Sequence, residues 1–372
     1  MAGLKRKKVT NMSKKMILTD LPAIYSRFLP AFFKNEIPVE SLATCHDCAM
    51  VCKTPHKQLK LKPYLPDVMC CSYFPGLPNY LVGGLLLDTD PALDEGRKRI
   101  RKIIRDRTGV SPVGIQPSAK YSLFYTRTDD TFGQSKLLLC PYFDRDKKNC
   151  TIWKYRDATC STYFCKIAAG DAGKTFWKAL RRYLFHIQKQ LCHYVIIEMK
   201  FHDLDKIVTD FNFGPKMVES ISLRDIEELG PSEESYKKIW QDWAGREEEL
   251  YKNAYNLING LSTEEFDKIN GITAQMVLKK LENDWRKMMG IPATLIKNPA
   301  VDFREVGEDN YILFLESIDA SLQVPKVLLD SFDGIHTCAE IRELLEQTHN
   351  IEIDDEFMLT LYHYEILVKN PS

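Results

Sequence analysis

The distribution of cysteine constrains this chain more than any other feature. Eleven cysteines occur, and nine of them lie between residues 45 and 165. Four stand in CPYFDRDKKNCTIWKYRDATCSTYFC as Cys140, Cys150, Cys160 and Cys165, separated by a charged turn and by aromatic residues. Upstream, CHDCAMVC holds Cys45, Cys48 and Cys52, and an adjacent pair follows at Cys70 and Cys71. Cysteine that merely fills a core does not gather in this way, and two clusters that close on each other point to a metal site. The fold must therefore bring together segments far apart in sequence. The metal reading depends on a reducing compartment such as the cytosol, where the thiols stay available as ligands, whereas an exported chain can pair them as disulfides.

At 372 residues and 44% hydrophobic composition, the chain can bury a large core, and its length predicts two or three domains. Lys plus Arg and Asp plus Glu are both 51. The net charge of zero gives no overall field towards nucleic acid or an anionic membrane. The basic start MAGLKRKKVTNMSKKM lacks the apolar stretch of a signal peptide, and no window reaches the roughly 18 to 20 apolar residues of a membrane span. The expectation is a soluble cytoplasmic protein with Lys5 to Lys8 as a solvated tail.

Residues 1–40 read as this tail and a helical cover, since 17–34 carry apolar side chains at mixed spacing with two prolines. Residues 41–200 read as the cysteine-cluster metal-binding domain. Its first three thiols, spaced Cys-x2-Cys-x3-Cys, are one short of a closed tetrahedral set, which Cys70, Cys71 or a later cysteine would complete. Asp90 is a predicted N-cap ahead of Pro91. The helix from Ala92 to Arg107 has a basic face, but Ile100, Ile103 and Ile104 mark it as an ordinary amphipathic helix. YSLFYTR and SKLLLC read as two strands, the second delivering Cys140, and DRDKKN as the turn that returns Cys150 towards it. AAGDAGKTFW is not a phosphate loop, because Ala168 stands where that motif needs glycine. It opens a long helix from Thr175 to about Lys200, with Asp171 able to cap it. His186 and His193 share a face of that helix but lie about 10 Å apart along it, too far for one ion. Cys192 and Cys338 read as core residues.

Residues 201–310 read as a charged helical region, with Ser262 and Glu265 as a capping box and Trp240, Trp243 and Trp285 as core anchors. No catalytic constellation stands out there. Residues 311–372 predict helix, Asp-Gly turn, a helix boxed by Thr337 and Glu340, a further helix capped by Asp354, and a terminal strand, a winged-helix-like module. Its acidic middle helix does not suit the major groove. The expected fold class is α+β and mainly helical: a small cysteine-rich metal-binding domain, long helices, and this C-terminal module.

The cysteine pattern resembles the YkgJ-type cysteine-cluster family, a zinc- or iron-chelating group. The match lies in Cys140, Phe143, Cys150, Ile152, Trp153, Tyr155, Arg156, Cys160 and Cys165. It covers about residues 41–200. The compact upstream cysteine motif of the family is here split between CHDCAMVC and Cys70-Cys71. Some relatives look like flagellin lysine methylases associated with iron–sulfur chemistry, so the resemblance implies a metal and allows an enzyme. The C-terminal stretch, through LLDSFDGIHTCAEI and YEILV, is similar to PqqD-like domains. That similarity implies capture of a peptide at an edge strand.

Two functions follow. In one, cysteines hold an iron–sulfur cluster for redox or modification chemistry on a protein or peptide. In the other, a structural zinc supports a protein-interaction module without catalysis. Four thiolates suit either group, so spacing does not choose between them. Nine neighbouring cysteines exceed one tetrad, which leans towards the cluster.

Overall fold

Residues 79–87, NYLVGGLLL, are apolar on every side, and a helix of that kind has to lie inside a protein rather than on it. The computed structural model buries all but the last of them. It describes residues 14–40, 48, 51, 64–128, 132–165, 167–204, 207, 214–315 and 320–369. Cys45, Cys52 and the basic run from Lys5 to Lys8 lie outside these. The described chain is mainly helical, with several small antiparallel sheets.

In order, strand β1 (Lys14–Met16) pairs with β2 (Glu36–Pro38), and three 3-10 turns between them bury Ile17, Ile24, Tyr25 and Phe33. Strand β3 (Leu77–Pro78) leads into helix α1 (Asn79–Leu87) and then α2 (Asp94–Asp106). Strands β4 (Val110–Ser111) and β5 (Gly114–Ile115) complete a sheet of order β3-β5-β4. Helix α3 (Ala119–Arg127), the hairpin β6 (Phe143–Asp144) and β7 (Asn149–Cys150), and the short α4 (Ala158–Ser161) build the cysteine region. The long α5 (Gly170–Glu198) follows, then α6 (Leu223–Ile226), α7 (Glu233–Trp240), α8 (Glu247–Asn259) and α9 (Thr263–Met289).

The main core forms where α5 lies along α9 and α1 crosses α8. Along α5, Phe176, Leu180, Tyr183, Leu184, Ile187, Leu191 and Val195 recur at helical spacing and are all buried. Helix α9 is broken at Gly271, whose φ of 61° and ψ of −163° only glycine adopts readily. At the α1–α8 crossing, a Cβ on Gly83 would stand 1.8 Å from the Tyr251 carbonyl oxygen. The two backbones meet there only because that position has no side chain.

A second core begins at Leu295. Strand β8 (Leu295–Lys297) pairs with the last strand, β12 (Leu367–Lys369). Strands β9 (Arg304–Val306), β10 (Asn310–Leu315) and β11 (Ala320–Pro325) form a sheet of order β11-β10-β9. Helices α10 (Lys326–Asp330), α11 (Cys338–His349) and α12 (Asp355–His363) pack with them, burying Leu329, Leu345, Met358 and Leu361. The two cores are joined by the buried His363, whose Nε2 lies 2.6 Å from the Met288 carbonyl oxygen.

The capping boxes at Ser262/Glu265 and Thr337/Glu340 are present, as are the caps of Asp90 and Asp354. Four local expectations are corrected. YSLFYTR is helix α3, because Ser118 accepts the Tyr121 amide as an N-cap and Tyr121 turns inward to the Ser72 and Leu138 carbonyls. SKLLLC is a 3-10 turn over Lys136–Leu138 rather than a strand. Asp171 lies inside the first turn of α5, whose N-cap is Ala169 and makes no side-chain cap bond. The stretch 201–310 is not helical throughout, since β8 pairs with β12 in a two-stranded sheet and β9 pairs with β10.

Part of the basic face of α2 is paired within the chain: Arg99 pairs with Glu95, Lys102 with Asp106 and Arg101 with Glu248 of α8. Replacing Gly83 with Ala forces α1 and α8 apart, and overpacking of this kind typically costs about 1–3 kcal/mol. Urea denaturation should show a lower midpoint for Gly83→Ala; an unchanged midpoint would contradict the close crossing.

Candidate functional site

Backbone pairing assembles the cysteines. The Cys140 amide donates to the Cys71 carbonyl at 2.7 Å, and the Phe143 amide to the Cys140 carbonyl at 3.0 Å. In the β6–β7 hairpin Phe143 stands opposite Cys150. Its turn is closed by Asp144, whose Oδ1 accepts the amides of Asp146 and Lys147 at 3.0 and 3.1 Å, with Lys148 at a φ of 50°. DRDKKN thus returns Cys150 towards Cys140, as its composition predicts. Cys160 sits on α4, whose N-cap Asp157 is fully buried. The two carboxylate oxygens of Asp157 accept the Thr159 and Cys160 amides, each at 2.9 Å.

These segments surround one cavity of about 630 Å³. Cys48, Cys70, Cys71, Cys140, Cys150, Cys160 and Cys165 all line it. Aromatic rings make half of the remaining wall, among them Tyr73, Phe132, Tyr142, Trp153, Tyr163 and Phe164. Charge enters through Lys15, Asp20, Glu40, Arg156 and Arg181. Cys140 is buried, whereas Cys165 is exposed.

Burial dominates the electrostatics. It pushes the thiols of Cys140 and Cys160 well above the ordinary cysteine value, and neighbouring thiols add to the effect. Cys71 is pulled down by a hydrogen bond with Cys70, yet burial and the charges of Cys140, Cys150 and Cys160 leave it raised. The opposing charge is Arg156. Its guanidinium carbon lies 3.5 Å from the centre of the Trp153 ring, and its Nη1 donates to the Cys160 carbonyl at 2.9 Å. Burial lowers its affinity for the proton, while the charges of Cys160 and Cys150 act in the opposite direction.

Of the nine cysteines singled out by sequence, seven meet at this cavity and two, Cys45 and Cys52, lie outside the described residues. Among the described residues, no three Cys, His, Asp or Glu side chains converge closely enough to hold a single metal ion. The thiols surround a volume instead. Cys192 is fully buried in the core, and Cys338 packs beside the second core with its thiol 3.3 Å from the Pro292 carbonyl oxygen. His186 is engaged with the Asn270 carbonyl at 3.2 Å, and neither it nor His193 lines the cavity. Sequence reasoning did not pick out Glu40, Tyr142 or Asp157. Only Asp157 carries a local signal, an N-cap residue just before Ala158-Thr159-Cys160. Among the described residues no helix is long and apolar enough to cross a membrane. No family model matches the chain, and neither does any curated protein or solved structure.

Glu40 fastens the cover to the cavity wall. Its carboxylate oxygens accept the Ala168 amide at 2.7 Å and the Trp177 Nε1–H at 2.6 Å. Burial raises its proton affinity above the usual carboxylate value. The folded chain therefore holds this proton more tightly than the unfolded chain. Its contribution to stability is complete below the unfolded value and is lost as pH rises through the folded one. Thermal unfolding from the ordinary Glu range upwards should show stability falling with pH in the wild type and a flatter profile in Glu40→Gln. Parallel profiles would contradict the assignment.

Proposed function

We propose that this chain is a metalloprotein whose thiol cavity holds an iron–sulfur cluster, used in redox or modification chemistry on a protein or peptide. One observation carries the reading: seven cysteines from separate segments line a single cavity. The resemblance of Cys140 to Cys165 to the YkgJ-type cysteine-cluster family supports it.

The donor set fits such a group in chemistry. It is all sulfur, it has aromatic rings in its wall, and it has the cationic Arg156 beside it. A structural zinc ion is closed by four ligands at about 2.3 Å from one centre when they are thiolates. Thiols spread around a volume accord better with a group that fills space. Cys140, Cys150 and Cys160, with Cys71, would hold it. A bound cluster supplies electron transfer, or an iron site able to bind a substrate atom. The chain's own residues do the rest: Asp157 fixes the backbone of Cys160, Arg156 offsets negative charge at the thiolates, and Cys165 stands at the exposed side.

The winged-helix-like reading of the C-terminal unit, similar to PqqD-like domains, accounts for the peptide partner. Strand β9 is exposed along its whole length at the edge of its sheet, the position such capture requires.

Anaerobically purified protein should be brown and contain iron and acid-labile sulfide, and Cys140→Ser, Cys150→Ser and Cys160→Ser should each lose most of both. Colourless protein containing zinc overturns the cluster; unchanged iron in all three variants overturns the ligand assignment. For the partner, a chain ending at Gly290 removes the second core whole. Pull-downs should recover the partner with the full chain and not with this truncation, and equal recovery places recognition elsewhere.

A further inference from the structure

His363 stands where the second core meets the first. It ends α12 and is 4% exposed, and its Nε2 lies 2.6 Å from the Met288 carbonyl oxygen in the last turn of α9. A carbonyl only accepts, so Nε2 carries the proton and the neutral ring has a bare Nδ1. The last carbonyls of a helix find no partner within it, and His363 supplies one from the other unit. Its backbone is close-packed as well: a Cβ on Gly170, which has a φ of 54°, would stand 2.8 Å from the His363 carbonyl oxygen. One residue thus touches both α9 and the start of α5.

Nδ1 is buried and has no hydrogen-bond partner among the described residues. In the neutral ring it is an unfilled acceptor. Protonated, it becomes a charged donor with nothing to receive its hydrogen, a far costlier group to bury. The carbonyl end of α9 attracts positive charge, but the Nε2–H bond to it exists in both states, whereas the cost at Nδ1 falls on the charged ring alone. The charged groups around the joint are Asp171 of α5 and Asp284 and Lys287 of α9, which line a neighbouring cavity with Tyr362, and Glu40 of the cover, which acts on Tyr364. None of these carboxylates bonds to the ring: Asp284 pairs with Lys280 at 3.4 Å, and Glu40 accepts from Ala168 and Trp177. Burial accordingly holds the proton affinity of His363 below the ordinary histidine value, against the opposing effect of its bond to Met288.

We propose that His363 is a pH-sensitive latch between the two units: its neutral ring holds the C-terminal unit on the main core, and protonation at Nδ1 releases it. The inference does not depend on what the thiol cavity holds. A released ring takes up its proton at the ordinary histidine value, a docked ring only at lower pH. Docking is therefore at full strength above the ordinary value. It weakens as pH falls below that value, by up to about tenfold per pH unit, until the docked ring is protonated too. Glu40, whose proton affinity is raised, works in the opposite direction and does not produce this weakening.

The test is small-angle X-ray scattering of the full-length chain as pH falls from about 8 to about 5, with circular dichroism recorded alongside. The wild type should gain in radius of gyration below the ordinary histidine value at constant helix content. His363→Gln, whose side-chain amide can still donate to the Met288 carbonyl but takes no charge, should keep its radius. Equal profiles for the two chains, or a wild type of constant radius, overturn the proposal. Should the variant not fold, an NMR titration of histidine-labelled wild type decides: a ring in the Nε2–H form that titrates below the ordinary value supports the latch, and histidines that all titrate at or above it overturn it.

Discussion

A buried polar joint at Gln188 holds the cysteine region to the rest of the molecule. Gln188 is fully buried in α5. Its Oε1 accepts the Ala158 amide at 3.3 Å, and its Nε2 donates to the Tyr25 hydroxyl at 2.8 Å, which is itself 2.8 Å from the Tyr80 hydroxyl. One side chain thus ties the long helix to the N-terminal cover, to α1 and to the turn that carries Cys160. In an apolar interior such a network specifies one arrangement, because every displaced partner leaves an unpaired group costing about 1–3 kcal/mol. The cavity keeps its shape because its walls are fastened behind it as well as packed.

The same interior sets the chemistry. Desolvation resists charge on Cys140 and Cys160, so the cavity favours neutral thiols. On the proposed function, loading a metal would have to displace those protons. Arg156, stacked on the half-exposed Trp153, places one permanent positive charge at the edge of this region. Arginine suits that position, since its planar fork stacks on the ring while donating to the Trp153 and Cys160 carbonyls at 3.1 and 2.9 Å.

Sequence patterns succeeded where the physics is local. A capping box needs two residues three apart, and both predicted boxes form. The DRDKKN turn needs an Asp to bond its own backbone, and Asp144 does so. They failed where a distant partner decides. The aromatic run at Tyr121 has strand propensity, yet Tyr121 reaches the Ser72 and Leu138 carbonyls from a helix. The helix over Asn79 to Leu87 went unread because a uniformly apolar stretch has no period to read, and its two glycines argue against a helix until Tyr251 and Tyr255 are seen beside them.

The sequence by itself determined which atoms this protein offers: a reserve of thiols in two groups, rings between them, and turns short enough to bring Cys150 back to Cys140. These follow from covalent neighbours, and neighbours interact at fixed distances whatever the fold. Only the tertiary structure decided that seven of those thiols line one volume and that Glu40 and Asp157 are buried beside it. Burial and the loss of water are properties of every segment that closes on a residue, and those segments here lie more than a hundred residues apart, as Glu40 and Trp177 do.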